Sequence, residues 1–462
     1  MYGPPPDPRQ VLAPVNGLSD DPVAYIVCVT IGMLLCAVAL WPRLPGRFRA
    51  LAFIAGQVTA LTAPLAYHID RYVYGAFPTI DKEGSLLFYQ DGVHRRMLAD
   101  PIASTTDQAA ALIGVHVGHL WVSELFDLFL TPIGAFNAQG LAYIVLAWAA
   151  AALLLHEVTR NGRIAVVMAF PYGMGLHIFR DLNWYTIEKA ATFFVPLYAW
   201  ALLRAAERGG RWLAPPAAIF ALMCWINLYL GLVCGIFAAV VFAAQIPRAL
   251  RERTLHAHTR RTFIAAAASA IAALPLAAWQ FALMADGPQL ATPEQFLWQR
   301  AALDGFSLVP LRWNRMELLA ALGPIPLAFA AVGAVNLIRD PKVQLALAAA
   351  TVMFVLSIGP VLIPGEPPVT NPVYMAAREV VPGFWRVAKP EVFFHASWAM
   401  LLAVAAKQLA AWRPGSRTVA ALYLALVVSW LGLTRSHPVY PVMTEPVESV
   451  LAPDWSREVF QP

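Results

Sequence analysis

Charge is what this sequence has least of. Only 13% of its 462 residues are Asp, Glu, Lys or Arg, against about 25% in an ordinary soluble chain. Cysteine is nearly as scarce. Cys28, Cys36, Cys224 and Cys234 all fall inside apolar runs and form no C-x-x-C pair, which points to packing rather than disulfides or metal ligation. No basic segment precedes the first apolar run, so no cleaved signal peptide is expected. No internal repeat is visible, which weakens transporter readings that depend on one. The net charge of +5 is dispersed among short connectors and makes no basic patch for nucleic acid.

What the chain has in abundance is apolar runs. Its residues are 59% hydrophobic, and runs of about 18 residues recur along the whole length. They predict an all-α polytopic membrane protein of about twelve transmembrane helices. The spans fall near 23–41, 50–67, 137–156, 164–179, 184–203, 212–229, 231–246, 262–281, 317–338, 343–363, 391–412 and 418–434. The stretch from 212 to 246 is one apolar run, divided near Asn227–Gly231 because a single span needs about 20 residues. Arg43, Arg47 and Arg49 follow the first span, and the short connectors at 160–163, 204–211, 248–261, 339–342 and 413–417 are also basic. The positive-inside rule puts these in the cytoplasm. Both termini then lie outside the cytoplasm, and the expected location is the cell (inner) membrane, crossed many times. Residues 1–22 form an outer tail, 23–434 a single transmembrane domain and 435–462 a second outer tail.

The longest outer loop, 68–132, carries most of the candidate chemistry. Ionisable side chains at a membrane edge are functional candidates by default. Asp70 follows directly on an apolar span. Thr79 to Met97 reads as an interfacial helix. Thr105-Thr106-Asp107-Gln108 fits a capping box, where Asp107 is a helix cap rather than a catalytic group. On the helix that follows, continuous or broken into re-entrant pieces at Gly114 and Gly118, His116, His119, Glu124 and Asp127 share one broad face. A divalent cation is possible there, although no HExxH signature is present and a wetted helix face accounts for the pattern as well. Glu188 and Lys189 suit an ion network with Arg180 and Asp181. Late in the chain Arg378, Arg386 and Lys389 gather just before Pro390. Cations there suit phosphate, Arg by a forked contact and Lys as a point charge, or simply meet lipid head groups. His395, just inside the next span, reads as a packed or hydrogen-bonded histidine.

Several motifs occur in a telling order: His68-Ile69-Asp70 after an early span; "TPIGAFNAQGLAYIVLAWAAAALLLHEVTRN", with an asparagine opening the span; "FPYGMGLHIFRDLNWYTIEKAATFFVPLYAWALLRA"; and "PGFWRVAKPEVFFHASWAMLLAVAA". Over roughly residues 50–410 the chain resembles the type C glycosyltransferase superfamily, in particular its bacterial integral-membrane members. The resemblance implies transfer of a sugar from a polyprenyl-phosphate carrier on the outer face. It also implies a general-base, acceptor-binding or metal-binding role for Asp70; Glu124 and Asp127, read from the loop helix itself, are the further candidate catalytic acids. The chain departs from the pattern in having no Asp-x-Asp or Asp-Glu pair after the second span, and in one additional span before the usual first. The alternatives are a transporter of a lipid-linked or small polar substrate, and a non-catalytic member of the same fold.

The orientation is open to direct test. Single cysteines placed at Asp304 and Gly365 in a cysteine-free background should react with an impermeant reagent from outside, and one at Arg253 should not. Outside labelling at Arg253 would invert the topology.

Overall fold

The computed structural model describes residues 22–39, 43–63, 132–175, 190–246, 257–286, 323–363, 369–380 and 390–436. It also describes short pieces at 41, 66, 72–74, 122, 125–126, 128–130, 178–179, 384 and 443–446. Thirteen α-helices occur among them. They are α1 (Pro22–Ala39), α2 (Gly46–Leu61), α3 (Pro132–Thr159), α4 (Gly162–Gly173), α5 (Phe194–Arg208), α6 (Ala214–Ile226), α7 (Leu228–Ala243), α8 (Ala257–Asp286), α9 (Pro324–Asn336), α10 (Pro341–Ser357), α11 (Pro372–Val380), α12 (Pro390–Ala411) and α13 (Ser416–Ser436). Two short antiparallel pairs accompany them. Strand β1 (Tyr72–Tyr74) pairs with β4 (Met443–Pro446), and β2 (Val361–Ile363) pairs with β3 (Val369–Thr370).

Every helix except α11 falls on one of the apolar runs read from the sequence. Asparagine and aspartate set several of their starts by accepting hydrogen bonds from orphan N–H groups of the first turn. Asn161 Oδ1 accepts from Arg163 N and Ile164 N at 3.1 and 3.2 Å. Asp340 Oδ1 accepts from Lys342 N and Val343 N at 2.9 and 3.3 Å. The apolar run from 212 to 246 is divided at Asn227, whose backbone is extended and whose Oδ1 accepts from Tyr229 N and Leu230 N at 2.8 and 3.3 Å. One residue thus stops α6 and starts α7. Two helices are shorter than the apolar runs suggest. The fourth ends at Gly173, and α10 gives way at Ser357 to the β2–β3 pair.

Three helical stretches are long and apolar enough to cross a membrane: Asn137–Thr159, Ala257–Ala278 and Val392–Ala411. Six further apolar helical stretches among the described residues are shorter, at 10–17 residues. Helix α12 is the axis of the bundle, with 89% of its apolar window buried. It packs against α3, α4, α5, α7, α9 and α10. Helix α8 lies outside, packed on α6 with only 22% of its window buried. It exposes Phe263, Ile264, Ile271 and Leu274, while α1 exposes Ile26, Met33 and Leu34. Apolar residues exposed over this extent need a cover other than water. Close backbone approach tightens the interior: a Cβ added at Gly173 would meet Trp148 Cβ at 2.3 Å, so only glycine lets α4 lie against α3 there. The Trp148 indole meets Phe170 edge-on at 5.2 Å and donates its N–H to Val166 O at 2.8 Å.

A group of ion pairs gathers one end of the bundle. Glu157, near the end of α3, is fully buried and pairs with both Arg204 of α5 and Arg160, the latter at 2.5 Å. Arg160 reaches on to Glu207 at 3.1 Å, and Lys342 of α10 meets Glu207 at 2.6 Å. Arg261 of α8 donates to Glu207 O at 2.9 Å. Lys407 of α12 closes on Asp340 at 2.6 Å. Trp200 and Trp212 cover the Arg204 guanidinium at 5.6 and 5.3 Å. Arg163 at the start of α4 donates to Ser416 Oγ at the start of α13. Residues of the basic connectors 160–163, 204–211, 339–342 and 413–417, with Arg261, therefore converge at one end.

Burial alone pushes the Glu207 carboxyl up, but the hydrogen bond and charge of Lys342 and the charge of Arg160 outweigh it and hold the group below its ordinary range. Asp340 is likewise lowered, its burial outweighed by the hydrogen bond and charge of Lys407 and by the N–H groups of Lys342 and Val343. Both shifts are depressions. The stability they contribute is present above the ordinary carboxylate range and lost as pH falls through the lowered values.

Replacing Glu157 with Gln should cost about 3–5 kcal/mol, because it leaves Arg204, partly buried under Trp200 and Trp212, without its counter-charge. Asp340→Asn keeps the cap and loses a partly exposed pair, for about 1 kcal/mol or less. Thermal unfolding in detergent should show the larger drop for Glu157→Gln. Equal melting temperatures would remove the special status of Glu157.

Candidate functional site

The opposite end of the bundle is polar without ion pairs among the described residues. Asn137 and Gln139 sit near the start of α3, Thr192 just before α5, and His395 near the start of α12, all of them buried. Asn137 and His395 each lie five residues into helices that pack together, about 7.5 Å from their starts at 1.5 Å per residue. Gln139 Nε2 donates to Tyr143 Oη at 2.7 Å. The Tyr143 ring lies 5.4 Å from Phe193, beside Thr192. Tyr172 at the end of α4 donates to Thr192 O at 3.0 Å. Trp430 of α13 donates to Met174 O. These contacts draw α3, α4, α5 and α13 together at this level. Strand β1 packs on α3 here, and its pairing brings β4 of the C-terminal segment to the same place.

Helix α11 is fixed beside this layer by Asn371. Its Nδ2 donates to Val355 O and Gly359 O of the α10 end at 2.7 and 2.9 Å. Its Oδ1 accepts from Val373 N and Tyr374 N at 3.1 and 3.3 Å, capping α11. The buried Tyr374 ring then lies 5.0 Å from Phe384, and Phe384 6.1 Å from Phe393 of α12. An unbroken run of polar and aromatic contacts therefore connects α10, α11 and α12. Arg378 is half-buried one turn beyond Tyr374, on the same side of the helix. That side faces the bundle.

Comparison of the chain with family models, curated proteins and solved structures returns no match. What it does must be argued from these residues.

Of the residues singled out by sequence, the described structure contains Arg378 and His395. Asp70, Asp107, His116, His119, Glu124, Asp127, Arg180, Asp181, Glu188, Lys189, Arg386 and Lys389 lie outside the described residues. Asp70 stands two residues before β1 in the sequence, and Arg386 and Lys389 stand between α11 and α12. Among the described residues no three His, Cys, Asp or Glu side chains come together in a way that would hold a metal ion. Sequence reading gave no role to Gln139, Thr192 or Asn371. A signal was present in the first of these, since an amide inside an apolar run must find a partner or face a polar space. Chemically the layer offers amides, a hydroxyl, an imidazole and one guanidinium. Such a set can hold hydroxyl groups and a phosphate; a carboxylate base would have to come from elsewhere.

Asn371→Ala should detach α11 without unfolding the bundle. Loss of its paired hydrogen bonds is expected to cost roughly 2–3 kcal/mol locally. Amide exchange at residues 373–380 should then rise about 10- to 100-fold, with α12 unchanged. Unchanged exchange would show that the aromatic contacts alone hold α11.

Proposed function

We propose that this chain is a polytopic membrane protein of about twelve spans that transfers a sugar from a polyprenyl-phosphate carrier at the end of the bundle bearing Arg378. The observation that carries the reading is the chemical difference between the two ends. Among the described residues, one gathers the ion pairs, Glu157–Arg204 and Glu207–Lys342 among them. The other presents neutral buried polar groups and the bundle-facing Arg378. In the sequence, Arg386 and Lys389 follow Arg378 directly and add two cations suited to a phosphate. The candidate base, Asp70, stands next to β1, which packs on α3. The order of motifs that resembles the type C glycosyltransferases supplies the reaction class.

In this reading Arg386 grips the carrier phosphate by a forked contact, and Lys389 and Arg378 add charge. Asp70 takes the proton of the acceptor hydroxyl as the sugar leaves the phosphate. Glu124 and Asp127 are the reserve acids of the same loop. A transport reading needs a polar path between the ends, whereas Trp148, about the middle of α3, is fully buried and packs on Phe170.

Asp70→Asn keeps size and most hydrogen bonding, so purified protein should melt as wild type while losing about 10²- to 10⁴-fold in turnover of polyprenyl-phosphate sugar. Arg386→Lys should already weaken retention of labelled polyprenyl phosphate, because a fork becomes a point charge. Wild-type turnover in Asp70→Asn would move the base to Glu124 or Asp127. Full lipid retention in an Arg386→Ala, Lys389→Ala double variant would remove the phosphate site.

A further inference from the structure

Helix α11 has a second side that the transferase reading does not use. At 100° per residue, Pro372, Ala376, Val380 and Val373 fall within an arc of about 100°, and all four are exposed. Val373 is 42% and Val380 79% exposed, and Val369 just before the helix is 48% exposed. Glu379 borders this stripe, and Tyr374 and Arg378 lie across the helix from it. An exposed run of valines on a nine-residue helix is costly in water.

We infer that α11 is an interfacial helix whose Pro372–Val373–Ala376–Val380 stripe rests in the head-group boundary of a lipid bilayer. The inference rests on the chain being membrane-embedded, and not on its transferring a sugar. Three observations select lipid as the occupant. First, Asn371 ties the start of α11 to the last turn of α10, while Phe384 ties its buried side to α12, which is long enough to cross a membrane. The helix therefore sits at the level where those helices end. Second, α10 itself exposes Phe354 one turn before that end, so an apolar surface already reaches this level from below. Third, the stripe is narrow, its edge is marked by an exposed Glu379, and its members are small aliphatic residues. An amphipathic helix that lies in an interface plane sets its apolar side about 5–10 Å into the head-group and acyl boundary.

The consequence is a two-sided helix. Its outer side fixes its height in the bilayer, and its inner side carries Arg378 at that height. A lipid head group entering from the bilayer would meet Arg378 at the depth where phosphates lie, and Arg378 need not move to reach it. The rigid hydrogen-bonded cap at Asn371 holds the rotation of the helix, which decides which side faces lipid.

The test reads lipid contact directly and needs neither ligand nor activity. Nitroxide labels are placed by Val373→Cys, Val380→Cys and Glu379→Cys in full-length protein with its native cysteines replaced. The protein is reconstituted into phosphatidylcholine–phosphatidylglycerol vesicles. Labels at 373 and 380 should collide with dissolved oxygen and little with an aqueous nickel chelate, giving an oxygen-to-nickel ratio several-fold above that at 379. Collision with the chelate at all three positions would make the stripe water-facing and overturn the inference. Collision with neither reagent would mean that protein covers it, with the same result. A photoreactive phenylalanine analogue in place of Val380, in a chain that keeps its cysteines, should crosslink to phospholipid. Crosslinking to a second copy would exclude the bilayer as occupant. Failure of the transferase reading, seen as no turnover of polyprenyl-phosphate sugar by the wild-type protein, would leave these label positions unaffected.

Discussion

A buried carboxylate holds the helix ends in register. Taking the Glu157 charge out of water costs several kcal/mol, and attraction returns this only when geometry is good and every partner is in place. Here Arg204 meets it from α5 and Arg160 from the end of its own helix, and Trp200 and Trp212 shield the Arg204 guanidinium. Arg160 adopts a backbone φ of 56°, a left-handed conformation that glycine normally fills. That conformation lets its guanidinium reach Glu157 and Glu207 together. Through Glu207 and Lys342 the constraint passes to α10, and through Asp340 and Lys407 to α12. The axial helix thus has its depth set by ion pairs at one end.

With one end fixed, the other inherits its geometry. Helix α12 starts 17 residues before Lys407, and α10 ends 15 residues after Lys342. The positions of His395 and of the α10 end follow from rigid helix length at about 1.5 Å per residue. Asn371 then transfers that position to α11 by hydrogen bonds to Val355 and Gly359. The orientation of Arg378 is therefore the last step of a mechanical sequence that begins at Glu157.

The apolar runs made most helices legible, because a backbone in apolar surroundings must have its polar groups paired and a helix does so within one segment. Even the division at Asn227 could be placed, since no single span needs so long a run. The lengths of α4 and α10 were harder, as apolar residues continue past the ends of both. In the second case the surplus, Val361–Ile363, forms a strand instead. The roles of Glu157 and Glu207 were not legible. Each stands beside arginines at a helix end, the usual place for a solvated acid, and only the convergence of distant helices turns Glu157 into a buried partner. The basic residues that signalled orientation are in part the partners of those acids. Of the candidate site, sequence indicated Arg378, while the histidine of α12 was read as a packing residue and Asn371 was hidden because its partners lie on α10, before a strand pair that no periodicity announces.

The contrast between the two ends bears on where chemistry can occur. Opening the Glu157 group to admit a ligand would strand at least one full charge in a low-dielectric interior, at a cost no weak substrate contact offsets. An amide or hydroxyl is different. Exchanging its protein partner for a ligand oxygen trades one neutral hydrogen bond for another of similar strength, near 1 kcal/mol net. Gln139, Thr192 and Asn137 are groups of that kind. A site that must bind, release and bind again is better built from them than from ion pairs, with charge confined to the rim where water and head groups screen it. Arg378 occupies such a rim, half-buried at the edge of the layer. The division of labour follows from electrostatics: the buried charge that fixes the fold, Glu157, is paired, and charge that would meet a ligand stays at the boundary.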